Sequence, residues 1–272
     1  MRTADLEACR VSQDHPLRLV KFDPAGRPAS SGHRGRDEDR LKALGKRLGE
    51  LQQVLYASKQ SSLLLVLQGM DTSGKDGVVR RVFSTVSPLG VHAHAFGVPV
   101  GEETRHDFLW RVHAQVPALG EIAVFNRSHY EDVIAARVRK LVPLALIRKR
   151  IRHIREFEQL LCDEGTRIIK CFLHISRAEQ GRRLQDRLDT PDKHWKLQTA
   201  DLQDRVHWAD YRRAYQEAMP ATSTRHAPWY VVPADSHFQR DLMVAELLVR
   251  ELEAMRLRFP PSTLPADARI PE

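Results

Sequence analysis

Leu41, Leu44, Leu48, Leu51 and Leu55 recur at spacings of three and four with polar residues between them, which places them on one face of a helix. The stripe covers only about two heptads, so it reads as a core-facing seam more than a coiled coil, while leaving a homo-oligomer conceivable. Ser62–Gln68 follows as an unbroken aliphatic run closed by a glycine-rich turn, the pattern of a parallel strand buried on both faces. Val91–Phe96, Glu121–Phe125, Arg167–Ile175 and Trp229–Val232 are similar strand candidates. Helical periodicity predicts helices near 76–86, 102–115, 129–140, 146–163, 177–188, 199–219 and 237–256. Strands alternating with helices argue for an α/β layered fold with a mainly parallel, five-stranded sheet. Residues 1–38 carry three prolines and weak periodicity and read as an irregular arm. Residues 39–258 read as one domain with a helical lid around 183–220, and 259–272 as a proline-rich tail.

Composition narrows the setting. The chain has 272 residues, 42% hydrophobic and 29% charged, which is ordinary globular material with ample length for a core. The longest aliphatic run, Leu63–Leu67, is far short of the ~20 apolar residues of a membrane span. The first thirty residues lack the apolar stretch of a signal peptide. Cys9, Cys162 and Cys171 form no C-x-x-C pair, which argues against a disulfide framework or cysteine zinc site. A cytoplasmic protein that engages no membrane is the expectation. Lys+Arg total 43 against Asp+Glu 35, a formal +8. Arginine predominates among the cations, and its fork suits bidentate phosphate contacts. A basic excess of this kind fits nucleic acid, nucleotides or another polyanion, and the motifs decide among them.

Gly69-Met70-Asp71-Thr72-Ser73-Gly74-Lys75-Asp76 lies directly after the first strand and directly before a helix. G-x-x-x-x-G-K in that position is the pattern of a phosphate-binding loop. Its backbone N–H groups turn inward, the helix N-terminus adds partial positive charge, and Lys75 neutralises phosphate oxygens. The residue after the lysine is Asp76, where a Ser or Thr hydroxyl normally meets Mg²⁺. Asp76 reads as a carboxylate favourable to the helix dipole. Asp71, inside the loop, would sit beside phosphates, which calls for an intervening divalent cation and makes it the candidate metal ligand. The third strand should end in an acidic residue facing that metal. It is followed instead by Asn126-Arg127-Ser128-His129-Tyr130-Glu131-Asp132, at the strand end where α/β folds keep their chemistry.

These residues resemble the polyphosphate kinase type 2 family. The matching stretches are GMDTSGKDG at 69–77, FNRSHYEDV at 125–133, Glu179-Gln180 with Arg183 and Arg187, then Pro191, Lys193, Trp195-Lys196, Asp201, Trp208, Tyr211 and Ala227-Pro228-Trp229. The resemblance covers roughly residues 40–255. The NRSHYED form resembles the class III branch, associated with phosphorylating both AMP and ADP. Related branches carry aspartate at position 126 and asparagine at position 131. His237 departs from the pattern, which has a lysine there.

The resemblance implies a P-loop kinase-like fold and a Mg²⁺-dependent (Mn²⁺ can substitute), reversible transfer of a phosphoryl group from inorganic polyphosphate to AMP and ADP. It implies that Asp71 organises the metal, that Lys75 and Arg127 hold the transferring phosphate, and that Gly69, Thr72, Ser73 and Gly74 cradle it. Arg187, Lys193 and Lys196 would belong to a closing lid, with Arg183 a weaker member; Asn126, Arg127 and Glu131 would meet the nucleotide. Glu131 lies four residues after Arg127, so it either pairs with a cation such as that arginine or contacts the acceptor. An ATP-dependent nucleotide kinase would share the fold but needs a donor-base pocket. A non-catalytic nucleotide- or RNA-binding module is disfavoured by the cationic lid and by the absence of an aromatic–basic RNA motif, so no nucleic acid is expected. His92 and His94 point one way on a strand without a third metal ligand, and Arg148, Arg152 and Arg155 read as a solvated face.

Overall fold

A computed structural model describes residues 6–13, 15–264 and 269–270. Five parallel strands form its centre: β1 (Ser62–Gln68), β2 (Val91–Ala95), β3 (Ile122–Asn126), β4 (Thr166–His174) and β5 (Trp229–Pro233), in the order β2-β3-β1-β4-β5. Leu63–Leu67 are paired on both sides, with Leu65 opposite Val124 of β3 and Ile169 of β4. Every residue of β1 is buried, as the unbroken aliphatic run requires. The chain steps one way from β1 to reach β2 and the other way to reach β4, so the order reverses at the carboxyl end of β1, where α/β sheets open a crevice.

Helices cover the sheet in two groups. The long α1 (Arg34–Ser58) and α2 (Lys75–Val82) pack with the C-terminal helix, α9 (His237–Ala254). Leu48, Leu51 and Leu55 are buried and Leu41 and Leu44 pack against the same core, so the leucine stripe is spent inside the chain. The other group includes α5 (Leu144–Asp163), against β4, and α8 (Trp208–Thr222), against β5 and α5.

Three expected helices differ. The 102–115 segment becomes a 3-10 turn (Gly101–Arg105) and the short α3 (Trp110–His113), because Asp107 accepts the Leu109 N–H at 2.9 Å in a local turn that competes with the helix. The 129–140 segment splits into a 3-10 turn (His129–Asp132), capped by the Ser128 hydroxyl, and α4 (Ala135–Val138). The 199–219 segment breaks at His207 into α7 (Thr199–Val206) and α8. Between β4 and these lie α6 (Arg177–Asp189) and a 3-10 segment (Pro191–Lys196) that leaves Trp195 exposed.

The helix begins at Arg34, inside the expected arm, and the arm is well packed: Leu6, Val11 and Leu19 are buried, and Arg10 forms an antiparallel bridge to Tyr230. In the tail, residues 265–268 and 271–272 lie outside the described residues. No helix among the described residues is long and apolar enough to cross a membrane.

Candidate active site

The Gly69–Gly74 loop leaves β1 at the sheet's turning point. Gly69 and Gly74 hold φ of 151° and 95°, and Thr72 is a non-glycine at φ 61°. A side chain on Gly74 would collide with the Arg240 guanidinium at 1.9 Å, so glycine is required there for space as well as conformation. Two buried arginines clasp the loop from outside. Arg183 of α6 donates to the Thr72 carbonyl at 2.9 Å, and Arg240 of α9 donates to the Ser73 carbonyl at 3.1 Å. These bonds hold the Thr72 and Ser73 carbonyls from one side, while the Ser73 N–H donates to the Met70 carbonyl at 3.1 Å within the loop. Arg183 also binds the Ala234 and Asp235 carbonyls and Glu179, so it belongs to the scaffold beneath the loop and not to a lid.

Lys75 is buried, and its Nζ donates to the Gly69 carbonyl at 2.9 Å. Burial, then the neighbouring Arg127, push its pKa down, and Asp71, Glu131 and Asp76 oppose that. Asp76, in the first turn of α2, accepts the Asn126 amide at 2.6 Å, so Asn126 ties the end of β3 to that helix. Arg127 is a second strained position, at φ 61°, and its guanidinium donates to Asp71 at 2.8 Å. Burial works against the charge of Arg127, yet Glu131 and Asp71 outweigh it and raise its pKa.

Glu131 and Arg127 line one cleft. It begins at Gly69–Asp71, passes Phe96, Val98 and Leu141 on an apolar wall, and ends at Arg139, Asp204 and Tyr211, with about 780 Å³ of empty space including its mouth. Burial raises the pKa of Glu131 against the pull of Arg127 and Lys75. Arg127 makes its ion pair with Asp71, not with Glu131, whose carboxylate is met instead by the Gln68 amide at 3.0 Å once the amide is oriented to satisfy all its partners. Behind the turn, Tyr130 donates to Glu158 at 2.9 Å, and the fully buried Lys170 donates to Tyr130, Glu158 and the Thr222 carbonyl. Lys170 holds Glu158 ionised although burial opposes it.

The lid candidates stand apart from the cleft lining. Arg187 donates to the Lys196 carbonyl at 2.9 Å, Lys193 pairs with Asp186 at 2.7 Å, and the Lys196 ammonium lies 4.8 Å from the Trp195 ring centre. Asp201 was without an assigned role in the sequence. It is buried, and burial together with the charge of Asp71 raises its pKa, so it faces the same polar centre. Among the described residues no three His, Cys, Asp or Glu converge as a metal cage. Mg²⁺ commonly takes one or two carboxylates and completes its shell with substrate phosphates and water, so Asp71 beside a phosphate-facing loop fits such an ion. His92 reaches the Gln115 carbonyl at 3.2 Å, and burial pushes the Cys162 and Cys171 thiols up to about 11 and about 12, as inert core thiols.

Comparison with known proteins agrees with this geometry. The chain is 50% identical over 251 residues, 92% of its length and 94% of the relative's, to the AMP/ADP-polyphosphate phosphotransferase of Meiothermus ruber. It is 42% identical over 235 residues, 82% of its length and 81% of the relative's, to the ADP-polyphosphate phosphotransferase of Rhodopseudomonas palustris. The crystal structure of polyphosphate kinase 2 from Arthrobacter aurescens TC1 superimposes with a TM-score of 0.92 at 41% identity, covering 96% of this chain and 93% of that one. The family model described as Polyphosphate kinase 2 matches residues 32–260, a span that includes the loop, the clasping arginines and the whole cleft, and the chain belongs to the polyphosphate kinase 2 family.

Proposed function

We propose that this protein transfers the terminal phosphoryl group of inorganic polyphosphate to AMP and ADP, giving ADP and ATP, and that it acts in the cytoplasm. The reading is carried by one observation. One cleft joins the start of the loop, at Gly69, Met70 and Asp71, to Arg127 and Glu131 beyond β3, so an acceptor and a phosphate chain can meet end to end. The acceptor's terminal phosphate oxygen attacks the terminal phosphorus in line. One P–O bond forms as the bond to the next phosphate of the chain breaks, leaving the polymer one unit shorter. Positioning and charge stabilisation carry such a transfer, and no covalent enzyme intermediate is needed.

Each side chain then has a task. The Gly69, Thr72, Ser73 and Gly74 backbone receives the phosphate oxygens, and Lys75 and Arg127 balance the charge spread over the transferring group. Asp71 would hold Mg²⁺, which when bound would supply positive charge to offset that of the polyphosphate. Arg127 spends only Nη2 on Asp71, so its remaining N–H donors are left for the phosphate. Glu131 contacts the acceptor and positions the shorter AMP. Arg187, Lys193 and Lys196 swing inward to exclude water, whose attack on polyphosphate is the competing reaction. The test is to incubate the protein with Mg²⁺, AMP and long-chain polyphosphate without ATP. Formation of ADP and ATP is the expected result; no product under these conditions, with activity restored by an ATP donor, would overturn the reading.

A further inference from the structure

We infer that Gln68 is a positioning residue for the acceptor, setting the Glu131 carboxylate through the four hydrogen bonds of its amide. The inference rests on the reading of Glu131 as the group that positions AMP.

Gln68 closes β1, a strand otherwise aliphatic from Leu63 to Leu67, and is fully buried at the floor of the crevice. A polar side chain there is costly to bury unless every donor and acceptor is matched. Its surroundings match all four. The amide nitrogen donates to Glu131 Oε1 at 3.0 Å and to the Tyr215 hydroxyl oxygen at 3.0 Å, while the amide oxygen accepts from the Ser128 hydroxyl and backbone N–H, each at 3.1 Å. A carboxylate only accepts, so the nitrogen must face Glu131, and this settles which end of the amide points where. The three partners come from different places: Ser128 precedes the 3-10 turn at the end of β3, Glu131 lies within that turn, and Tyr215 comes from α8.

The amide therefore locks the turn to the strand and to the helix at the point where the cleft begins. Glu131 and Tyr215 line the cleft; Gln68 lies beneath them. Its influence on an acceptor consequently passes through Glu131. The charge of Glu131 is also shared with Arg127, Lys75 and Asp71, but none of these is placed to fix the plane of its carboxylate as an N–H donor from the rigid strand is. Burial already disfavours the ionised form of Glu131, and the donated hydrogen bond supports it.

A two-by-two set tests this: the unaltered protein, Gln68→Met, Glu131→Gln and the double variant. Specificity constants for AMP and for ADP are measured at saturating polyphosphate, with a melting temperature for each protein. Methionine keeps the length and volume of the side chain while removing the amide. Gln68→Met should lower the AMP-to-ADP ratio by about tenfold. The double variant should show no lower ratio than Glu131→Gln alone, because the amide acts only through that carboxylate. If Gln68→Met fails to fold, Gln68→Asn retains a polar amide withdrawn from Glu131 and should produce the same fall in ratio. Equal losses for both acceptors, or losses that multiply in the double variant, would mean that Gln68 supports the fold only and overturn the proposal. A Glu131→Gln protein whose ratio matches the unaltered one would overturn the role of Glu131 itself, and with it that of Gln68.

Discussion

Replacing Lys170 with methionine should expose how strongly the site depends on a charge pair buried behind it. Lys170 on β4 is wholly excluded from solvent, as is Glu158 on α5 apart from 1% of its surface. The ammonium donates to Glu158, to Tyr130 at 3.1 Å and to the Thr222 carbonyl at 2.7 Å, and Glu158 also accepts from Tyr130 at 2.9 Å. Removing the ammonium takes away the fixed positive partner of Glu158 and leaves it the Tyr130 hydroxyl and the His129 ring at 3.4 Å, a loss of about 3–5 kcal/mol at neutral pH. Against a typical stability of about 5–15 kcal/mol that is a large fraction. The loss has a defined pH dependence. Burial, already the largest influence on Glu158, would then raise its folded pKa above the ordinary 4.5. The folded state would hold the proton more tightly than the unfolded one, so the loss is small below pH 4.5 and grows as pH rises. It levels off once the pH has passed the raised folded pKa. Urea denaturation at pH 5 and pH 8 measures it, and Lys170→Met combined with Glu158→Gln should recover most of the loss at pH 8. A loss under about 1 kcal/mol at pH 8, or the same loss at both pH values, would refute the reasoning.

Asp71→Ala and Lys75→Ala should each reduce turnover by at least about a hundredfold in a polyphosphate-driven assay. Lys75→Ala should also lower stability by about 1 kcal/mol in thermal melts, since its Nζ braces the Gly69 and Met70 carbonyls. Glu131→Asn should depress AMP phosphorylation by about one to two decades and ADP phosphorylation much less, read from steady-state kinetics with both acceptors. His237 is pushed down to about 4 by burial and by Arg183, Arg240 and Arg81. The Arg240 N–H donates to its Nδ1 at 2.9 Å, which requires that nitrogen to be unprotonated. The unfolded chain therefore takes up this proton first, and stability should fall as pH drops from 6.5 towards 4. His237→Gln should flatten that part of the melting profile by no more than about 1 kcal/mol, because the ring is partly exposed.

The central strand was legible because Leu63–Leu67 is an unbroken aliphatic run buried on both faces; β2, with two histidines and no buried residue, was legible from its place between turns and helices. The loop was legible because its glycines answer to backbone geometry that only a few sequences meet. Gln68 carried a signal that the sequence reading passed over: a lone amide ending an otherwise apolar strand has to find partners. Arg183 carried none. Nothing in its neighbourhood distinguishes an arginine that closes over a substrate from one that grips the Thr72 carbonyl across 111 residues of chain. The short helices near 101–113 and 129–138 escaped periodicity because local side-chain-to-backbone bonds at Asp107 and Ser128 outcompete one or two helical turns. Arg127 and Glu131 line one cleft but not one helical face, since the turn begins at His129 and Arg127 is left-handed before it; the arginine is drawn instead to Asp71, a contact between segments that spacing along the chain does not encode.

The grip of Arg183 on the loop has a mechanical consequence. It fastens α6 at mid-length to Thr72 and to the Ala234 and Asp235 carbonyls, and the helix then runs only six more residues, about 9 Å, before the Pro191–Lys196 segment. Any swing of that segment would turn about a bearing fixed to the Gly69–Gly74 loop itself. If Arg187 moves inward as proposed, the two ends would be coupled: a ligand that stiffens the carbonyl of Thr72 would steady that movement, and by reciprocity an inward-held Arg187 would tighten the loop. Arg183→Lys, with one donor site where three carbonyls and a carboxylate now converge, would leave the two ends to move independently.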